Sequence, residues 1–333
     1  MSQFLPVGKL PVDLLARMLA QAPVNDPDVL QGPGVGLDCA VVAAGPKLWV
    51  FKSDPITFAS EEIGWYAVQV NANDIATSGA TPRWLMLTLL LPEGQTTPEL
   101  AEAIARQVYD ACRELGVAMI GGHTEITSGL ARPIISATMI GEVDRDHLVS
   151  PQGANPGDRV LLTKGVPIEA TALLAREFPE RLSEALSPAE LERARGYLYE
   201  PGISVLRDAR IAQRAGRVTA MHDPTEGGLA GALWELADAS GRSLAVNPSA
   251  VPIPSLAGRI CQVFGLDPLA TIASGALLLT APPEDSASIR AALQQARIAC
   301  ADIGEVEAAS PGKAPRVWAE TGGNRTLLPR PPR

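Results

Sequence analysis

Asn71-Ala-Asn-Asp-Ile-Ala-Thr-Ser-Gly-Ala80 closes a stretch, Glu61 to Ser78, in which apolar residues recur at helical spacing, and Gly79 ends it as a helix-terminating glycine does. Trp65, Val68 and Ile75 fall on the apolar positions of this helix and read as core or interface. Strand patterns flank it at Lys47 to Lys52 and Trp84 to Leu91. A second helix spans Pro98 to Leu115: Thr97 caps it, Pro98 suits its first position, Leu100, Ile104, Val108, Ala111 and Leu115 share a face, and Gly116 ends it. It leads into a strand from Val117 to Ile120, with Gly121-Gly122 at the strand's end, and a further strand follows at Pro133 to Val143. Outward on the N-terminal side lie a short amphipathic stretch, Pro11 to Leu19, and a glycine-rich loop, Gly32-Pro-Gly-Val-Gly36.

This alternation predicts an α/β (α+β) protein, and a chain of 333 residues exceeds what one core usually organises. Ser150-Pro-Gln-Gly-Ala-Asn-Pro-Gly-Asp158 is dense in turn formers and lacks apolar periodicity, which divides the chain into domains 1–150 and 151–333. The second half restarts with a strand at Arg159 to Thr163. It continues through helices that include Pro201 to Ala215 and Glu226 to Ala239, and closes with strands near Leu277, Ile303 and Val317. The prolines of Leu327-Leu-Pro-Arg-Pro-Pro-Arg333 bar a helix or an inner strand there.

A formal charge of −9 without a lysine or arginine stripe argues against a nucleic-acid partner. The four cysteines lie far apart, with no C-x-x-C pair, which argues against a zinc site or a disulfide framework and fits a reducing cytoplasm. The sequence shows neither a secretory leader nor an apolar run of membrane-spanning length, so membrane association is not expected. His147 and His222 read as turn or core-edge residues, and Cys112 as core.

Neither G-x-x-x-x-G-K-[ST] nor a Rossmann fingerprint occurs. What stands out is a set of aspartates beside glycines or at strand ends: Asp38, Asp54, Asp74 and Asp223. Each alone reads more readily as a cap or turn former. Together they point to a shared pocket, where clustered carboxylates repel unless a cation joins them, and oxygen-only donors select magnesium or manganese. Gly121-Gly-His-Thr-Glu125 offers backbone N–H groups to an anion, or else makes a plain tight turn. Met221-His-Asp-Pro-Thr-Glu-Gly-Gly-Leu229 leads into an apolar helix whose N-terminus suits a polyphosphate, and Asp223 or Thr225 also serves as an ordinary cap.

In this order, Asn73-Asp-Ile-Ala-Thr-Ser-Gly-Ala80, Gly121-Gly-His-Thr124, Met221 to Leu229 and Ile303-Gly-Glu-Val306 resemble the aminoimidazole ribonucleotide synthetase (PurM-like) superfamily, over about residues 30 to 310. The superfamily also holds thiamine monophosphate kinase, selenophosphate synthetase and the hydrogenase maturation factor HypE, whose motif style is nearest. The resemblance implies a two-domain PurM-like fold, with N-terminal sheets pairing across a homodimer, a C-terminal α/β domain, and ATP with Mg2+ (or Mn2+) between the glycine-rich loop and the acidic residues. It places Asp38, Asp54, Asp74, His123 and Asp223 at the metal. Gly34, Gly36, Asn73, Gly121, Gly122, Thr124, Thr225, Gly227 and Gly228 fall around the nucleotide. Departures from the pattern are Leu37, in Gly36-Leu-Asp-Cys-Ala40, where G-D-D-A is frequent, and His123, where G-G-D-T is frequent; either the metal is held less tightly or Glu125 substitutes. No Cys-Lys pair in the N-terminal loop supports selenophosphate synthesis, and no cysteine follows Cys300, so the carrier-thiol route of HypE is not expected. The activity implied is Mg-requiring phosphoryl transfer from ATP to an oxygen of a small substrate or carbamoyl-type acceptor. The alternatives are a thiamine-monophosphate-kinase-like enzyme and a catalytically silent nucleotide-binding regulatory or assembly dimer.

Overall fold

Alternation along β-strands assembles the first sheet. In Ile134–Val143 (β6) every second residue is buried, with Ile135, Ala137 and Met139 fully so. In Thr81–Pro92 (β4) Leu85, Leu87, Leu89 and Leu91 turn to the same core, each worth about 1.5–3 kcal/mol of burial. With Val29–Gln31 (β1), Ala40–Ala44 (β2), Lys47–Ile56 (β3) and Ala118–Thr127 (β5), the order is β1-β2-β3-β6-β4-β5, antiparallel except for β4 beside β5. The computed structural model describes residues 5, 10–34, 37–59, 61–310 and 312–331, so the Gly36 assignment lies outside the described residues.

Against this sheet pack Ile63–Thr77 (α2) and Pro98–Leu115 (α3), after the short N-terminal helix Val12–Leu19 (α1). The observed α3 has the limits that its cap and terminal glycine predict, with the Thr97 hydroxyl accepting from Leu100 N–H at 3.3 Å. Every residue of α2 is buried, because the helix is covered on both sides. One flank meets the first sheet, and the other meets Leu206–Ala215 (α7) and Ala220–His222 (β8) of the second half.

The second sheet combines β8 with Arg159–Thr163 (β7), Ser243–Val246 (β9), Leu278–Ala281 (β10), Cys300–Glu307 (β11), Val317–Thr321 (β12) and Asn324–Leu327 (β13). Its order is β13-β12-β9-β11-β7-β10-β8, and only β12 beside β9 is parallel. Glu169–Glu177 (α4), Pro179–Ser183 (α5), Pro188–Arg195 (α6), Gly228–Ser240 (α8), Ser255–Phe264 (α9) and Pro283–Gln295 (α10) complete this half.

Two local expectations need correction. The strand expected to end at Ile120 runs through Gly121 and Gly122 to Thr127, because β4 supplies a paired partner along its whole length. A Cβ on Gly122 would lie 2.0 Å from the Leu87 carbonyl oxygen, so the glycine serves close strand approach rather than a turn. The helix expected from Pro201 starts at Leu206, because residues 201–205 form a loop that answers Asn73: the Asn73 amide donates to Ile203 O at 2.8 Å and its oxygen accepts from Val205 N–H at 2.9 Å.

Candidate functional site

Strand alternation on β3 places Lys52 and Asp54 on one face. Asn71, one helical turn before Asp74 on α2, holds the backbone there: its oxygen accepts from Asp54 N–H at 3.0 Å and its amide donates to Ala67 O at 2.8 Å. Asp38 precedes β2 and Asp223 follows β8. These elements converge on a cavity of about 680 Å³, lined by Gly34, Leu37, Asp38, Lys52, Asp54, Asp74, His222, Asp223, Thr225 and Gly227 among others.

The four aspartates predicted to meet do meet. Lys52 bridges two of them, at 3.2 Å from Asp54 and 2.9 Å from Asp74. His222 Nε2 lies 2.9 Å from Glu235, and its Nδ1 faces Asp38 at 3.8 Å and Asp223 at 4.0 Å. The Asp223 side chain is 1% exposed, and neither carboxylate oxygen has a hydrogen-bond partner among the described residues; His222 Nδ1 is likewise unpartnered. Such groups are costly to bury.

Burial holds the Asp74 carboxyl well above the usual carboxylate range; Lys52 opposes this, while Asp223, Asp38 and Asp54 reinforce it. Burial likewise lifts Asp223 to about 6, against the pull of His222. For His222 burial acts downward, yet Asp38, Glu235 and Asp223 carry it up to about 9, so the imidazole is cationic at neutral pH. Lys52 is raised in the same way, burial being overcome by Asp74, Asp54 and Asp38. Two cationic side chains thus face a larger number of carboxyls, and the site as a whole favours an added positive charge.

Other predicted residues stand elsewhere. Gly121, Gly122, His123 and Thr124 lie on β5, separated from β3 by β6 and β4, a lateral distance of about 14 Å at the usual strand spacing. Within one chain they do not reach the cavity. His123 Nε2 lies 3.1 Å from Glu125 on the same exposed face. Asn73 is turned to the 203–205 loop. Gly228 starts α8 with φ +60, where a Cβ would strike the carbonyl oxygens of Thr271 and Leu269. Gly227, at φ +81, caps α8 at the edge of the cavity.

Lys52, His222, Glu235 and Glu169 also belong to the lining and were not singled out from sequence. Lys52 had a signal, since it stands two residues before Asp54 on a strand. His222 and Glu235 are thirteen apart and meet only because β8 and α8 pack together. His222 is therefore a site residue, not the turn or core-edge residue expected. Among the described residues no three His, Cys, Asp or Glu side chains already stand as a ready-made metal cage. The all-oxygen, unpartnered Asp223 carboxylate nevertheless fits a hard cation that takes its remaining ligands from water and phosphate.

The AIR synthase related protein N-terminal domain matches residues 36–143, and the AIR synthase related protein C-terminal domain matches residues 155–314. The chain belongs to the AIR synthase-related family. Within it, a protein of Methanocaldococcus jannaschii named for hydrogenase expression/formation is 32% identical over 76% of this chain and 75% of its own length. Carbamoyl dehydratase HypE of Bradyrhizobium diazoefficiens is 31% identical, over 76% of this chain and 71% of its own. A crystal structure of hydrogenase maturation protein HypE in complex with ATP superposes with a TM-score of 0.72 and 26% identity, covering 95% of this chain and 94% of that one. The two-domain PurM-like architecture is thereby shared by this AIR synthase-related chain. No helix among the described residues is long and apolar enough to cross a membrane.

Proposed function

We propose that this chain is an ATP-dependent enzyme of the AIR synthase-related family that transfers the terminal phosphoryl group to an oxygen of a small substrate, of which a carbamoyl-type amide is the best supported. The observation that carries the reading is Asp223: a fully buried carboxylate with both oxygens unpartnered, facing Asp38 and Asp74 in a nucleotide-sized cavity. The HypE relatives and the ATP complex of HypE support the nucleotide and the acceptor class.

Asp223 and Asp38 would hold a magnesium ion, whose bound form supplies charge neutralisation to the phosphates. Lys52 keeps Asp54 and Asp74 neutralised and presents its ammonium toward the cavity, where it can meet a phosphate oxygen. Gly34 and Gly227 allow close backbone approach, and Thr225 stands beside Gly227 in the same lining, while the Gly228 and Ala230 N–H groups at the start of α8 are taken by Thr225 O and Leu269 O. Asn73 would act by positioning Asp74.

In this reading the protein is a homodimer, with the two N-terminal sheets facing each other. Support comes from the exposed apolar residues Trp49, Met86, Met119, Ile120 and Ile126 of that sheet. The partner would bring Gly121, Gly122, His123 and Thr124 to the site that one chain leaves without them. The domains divide at residue 150, and the protein works in the cytoplasm without nucleic-acid partners.

The test is magnesium-dependent release of ADP in the presence of carbamoyl-bearing amides, with Asp223→Asn and Asp74→Asn beside the wild type. Loss of at least about a hundredfold in either variant is expected, as for removal of a charge-stabilising group. Turnover equal to wild type in both variants overturns the reading, and tight ATP binding without any turnover makes the chain a nucleotide-binding regulator instead.

A further inference from the structure

Helix α2 carries a second working face. Val70 and Asp74 face the carboxylate cavity, while Trp65 and Gln69, one position back, line a separate cleft of about 530 Å³ that shares no residue with it. Gln69 is 1% exposed, yet neither its Oε1 nor its Nε2 has a partner among the described residues, and the Trp65 indole N–H is also unpartnered. Paired groups are the rule for buried amides, so a donor-and-acceptor pair left unpaired on a residue that lines a cavity marks a place that something polar fills.

The opposite wall is cationic. Helix α7 presents Arg207, Arg210 and Arg214, spaced three and four residues apart on one flank. Arg207 donates to Ala296 O at 3.1 Å, but neither Arg210 nor Arg214 is in an ion pair among the described residues. Burial, with Arg214 adding to it, holds the Arg210 guanidinium below its ordinary range. Lys164 is already engaged, 3.3 Å from Asp208 and bonded to the carbonyls of Ser204 and Gly275, which also satisfies Asp208. Glu114 stands exposed at the margin and is the other acid in the lining. Unpaired like charges beside an open amide are stabilised by an anion that also hydrogen-bonds.

We propose that this cleft is a second ligand site, which takes a small organic anion: its phosphate or carboxylate head lies against Arg210 and Arg214, and its flat hydrogen-bonding body lies against Gln69 and the Trp65 indole. The site does not depend on phosphoryl transfer in the other cavity. It joins the two halves of the molecule, because α2 belongs to the first and α7 to the second.

Calorimetric titration of the full chain with phenyl phosphate, benzoate and uncharged benzamide tests this. At least one anion is expected to bind saturably and at least about tenfold more tightly than benzamide, and the tighter anion names the head group. Arg210→Ala is expected to weaken that anion about tenfold, while Asp223→Asn, which alters only the other cavity, leaves it unchanged. Gln69→Leu removes an unpaired buried amide, so it should raise the melting temperature of the free protein and abolish the rise that the anion produces. Benzamide binding as tightly as both anions, wild-type anion binding in Arg210→Ala, or loss of binding in Asp223→Asn overturns the proposal.

Discussion

Glu169 shows how far a single side chain depends on contacts that no local pattern announces. It lies at the start of α4, 1% exposed, with Oε2 accepting from Ser274 N–H at 3.2 Å and Oε1 without a partner among the described residues. Burial raises its carboxyl from the ordinary 4.5 to about 7, opposed by the Ser274 bonds and reinforced by Glu226 and Asp223. A carboxyl whose folded pKa is raised stabilises the fold fully below its unfolded pKa, and that contribution is lost as the pH climbs through its folded value. Between about pH 4.5 and 7 the loss amounts to about 3 kcal/mol. Glu169→Gln keeps an acceptor for Ser274 and removes the titration. Urea denaturation at pH 5 and pH 8 should therefore show a stability difference smaller by about 3 kcal/mol in the variant than in the wild type. An equal difference in both proteins would rule the assignment out. The four aspartates, in contrast, were legible as candidates because each sits beside a glycine or a strand end. Their partners Lys52, His222 and Glu235 were not picked out, since the last two are brought in by packing.

Elements whose ends carry their own chemistry were read correctly. The helix α3 starts behind Thr97-Pro98 and stops at Gly116, all local signals; the reciprocal capping box of Ser187 and Glu190 that opens α6 is a signal of the same kind, not singled out from sequence. Strand β5 is the opposite case. Paired glycines ordinarily punctuate a strand, and only the parallel partner β4, from Trp84 to Pro92, carries the pairing through them. Gly122→Ala would drive a Cβ against Leu87 O and force the two strands apart. A destabilisation of about 2–4 kcal/mol is expected, of the size that overpacking and strained backbone produce, with raised hydrogen exchange along β5. Wild-type stability in that variant would mean that the strands do not meet as described.

At the scale of the molecule, one helix does most of the joining. Its residues reach the first sheet, the second sheet and both cavities, and Asn73 ties it to the 203–205 loop with a donated and an accepted bond. Asn73→Ala leaves Ile203 O and Val205 N–H without those bonds and should cost about 2–3 kcal/mol. The accompanying sign is faster hydrogen exchange at Val205 and Leu206 than in the wild type, with β9 and β11 unaffected. Unchanged exchange at the loop would show that Asn73 does not hold it in place.

By itself the sequence determined the alternation of helices and strands, the limits of the best-capped helix, the family and the four aspartates as candidates, because capping, periodicity and glycine placement act over a few residues. Only the tertiary structure decided that α2 is buried on every side, that Lys52 and His222 stand among the carboxylates, that His123 lies strands away from them, and that a cationic cleft opens on the far face of α2. Those outcomes depend on which surfaces are pressed together across a hundred or more residues, and the free energy that selects them, burial of apolar area with most buried polar groups answered, is a property of the whole packed chain.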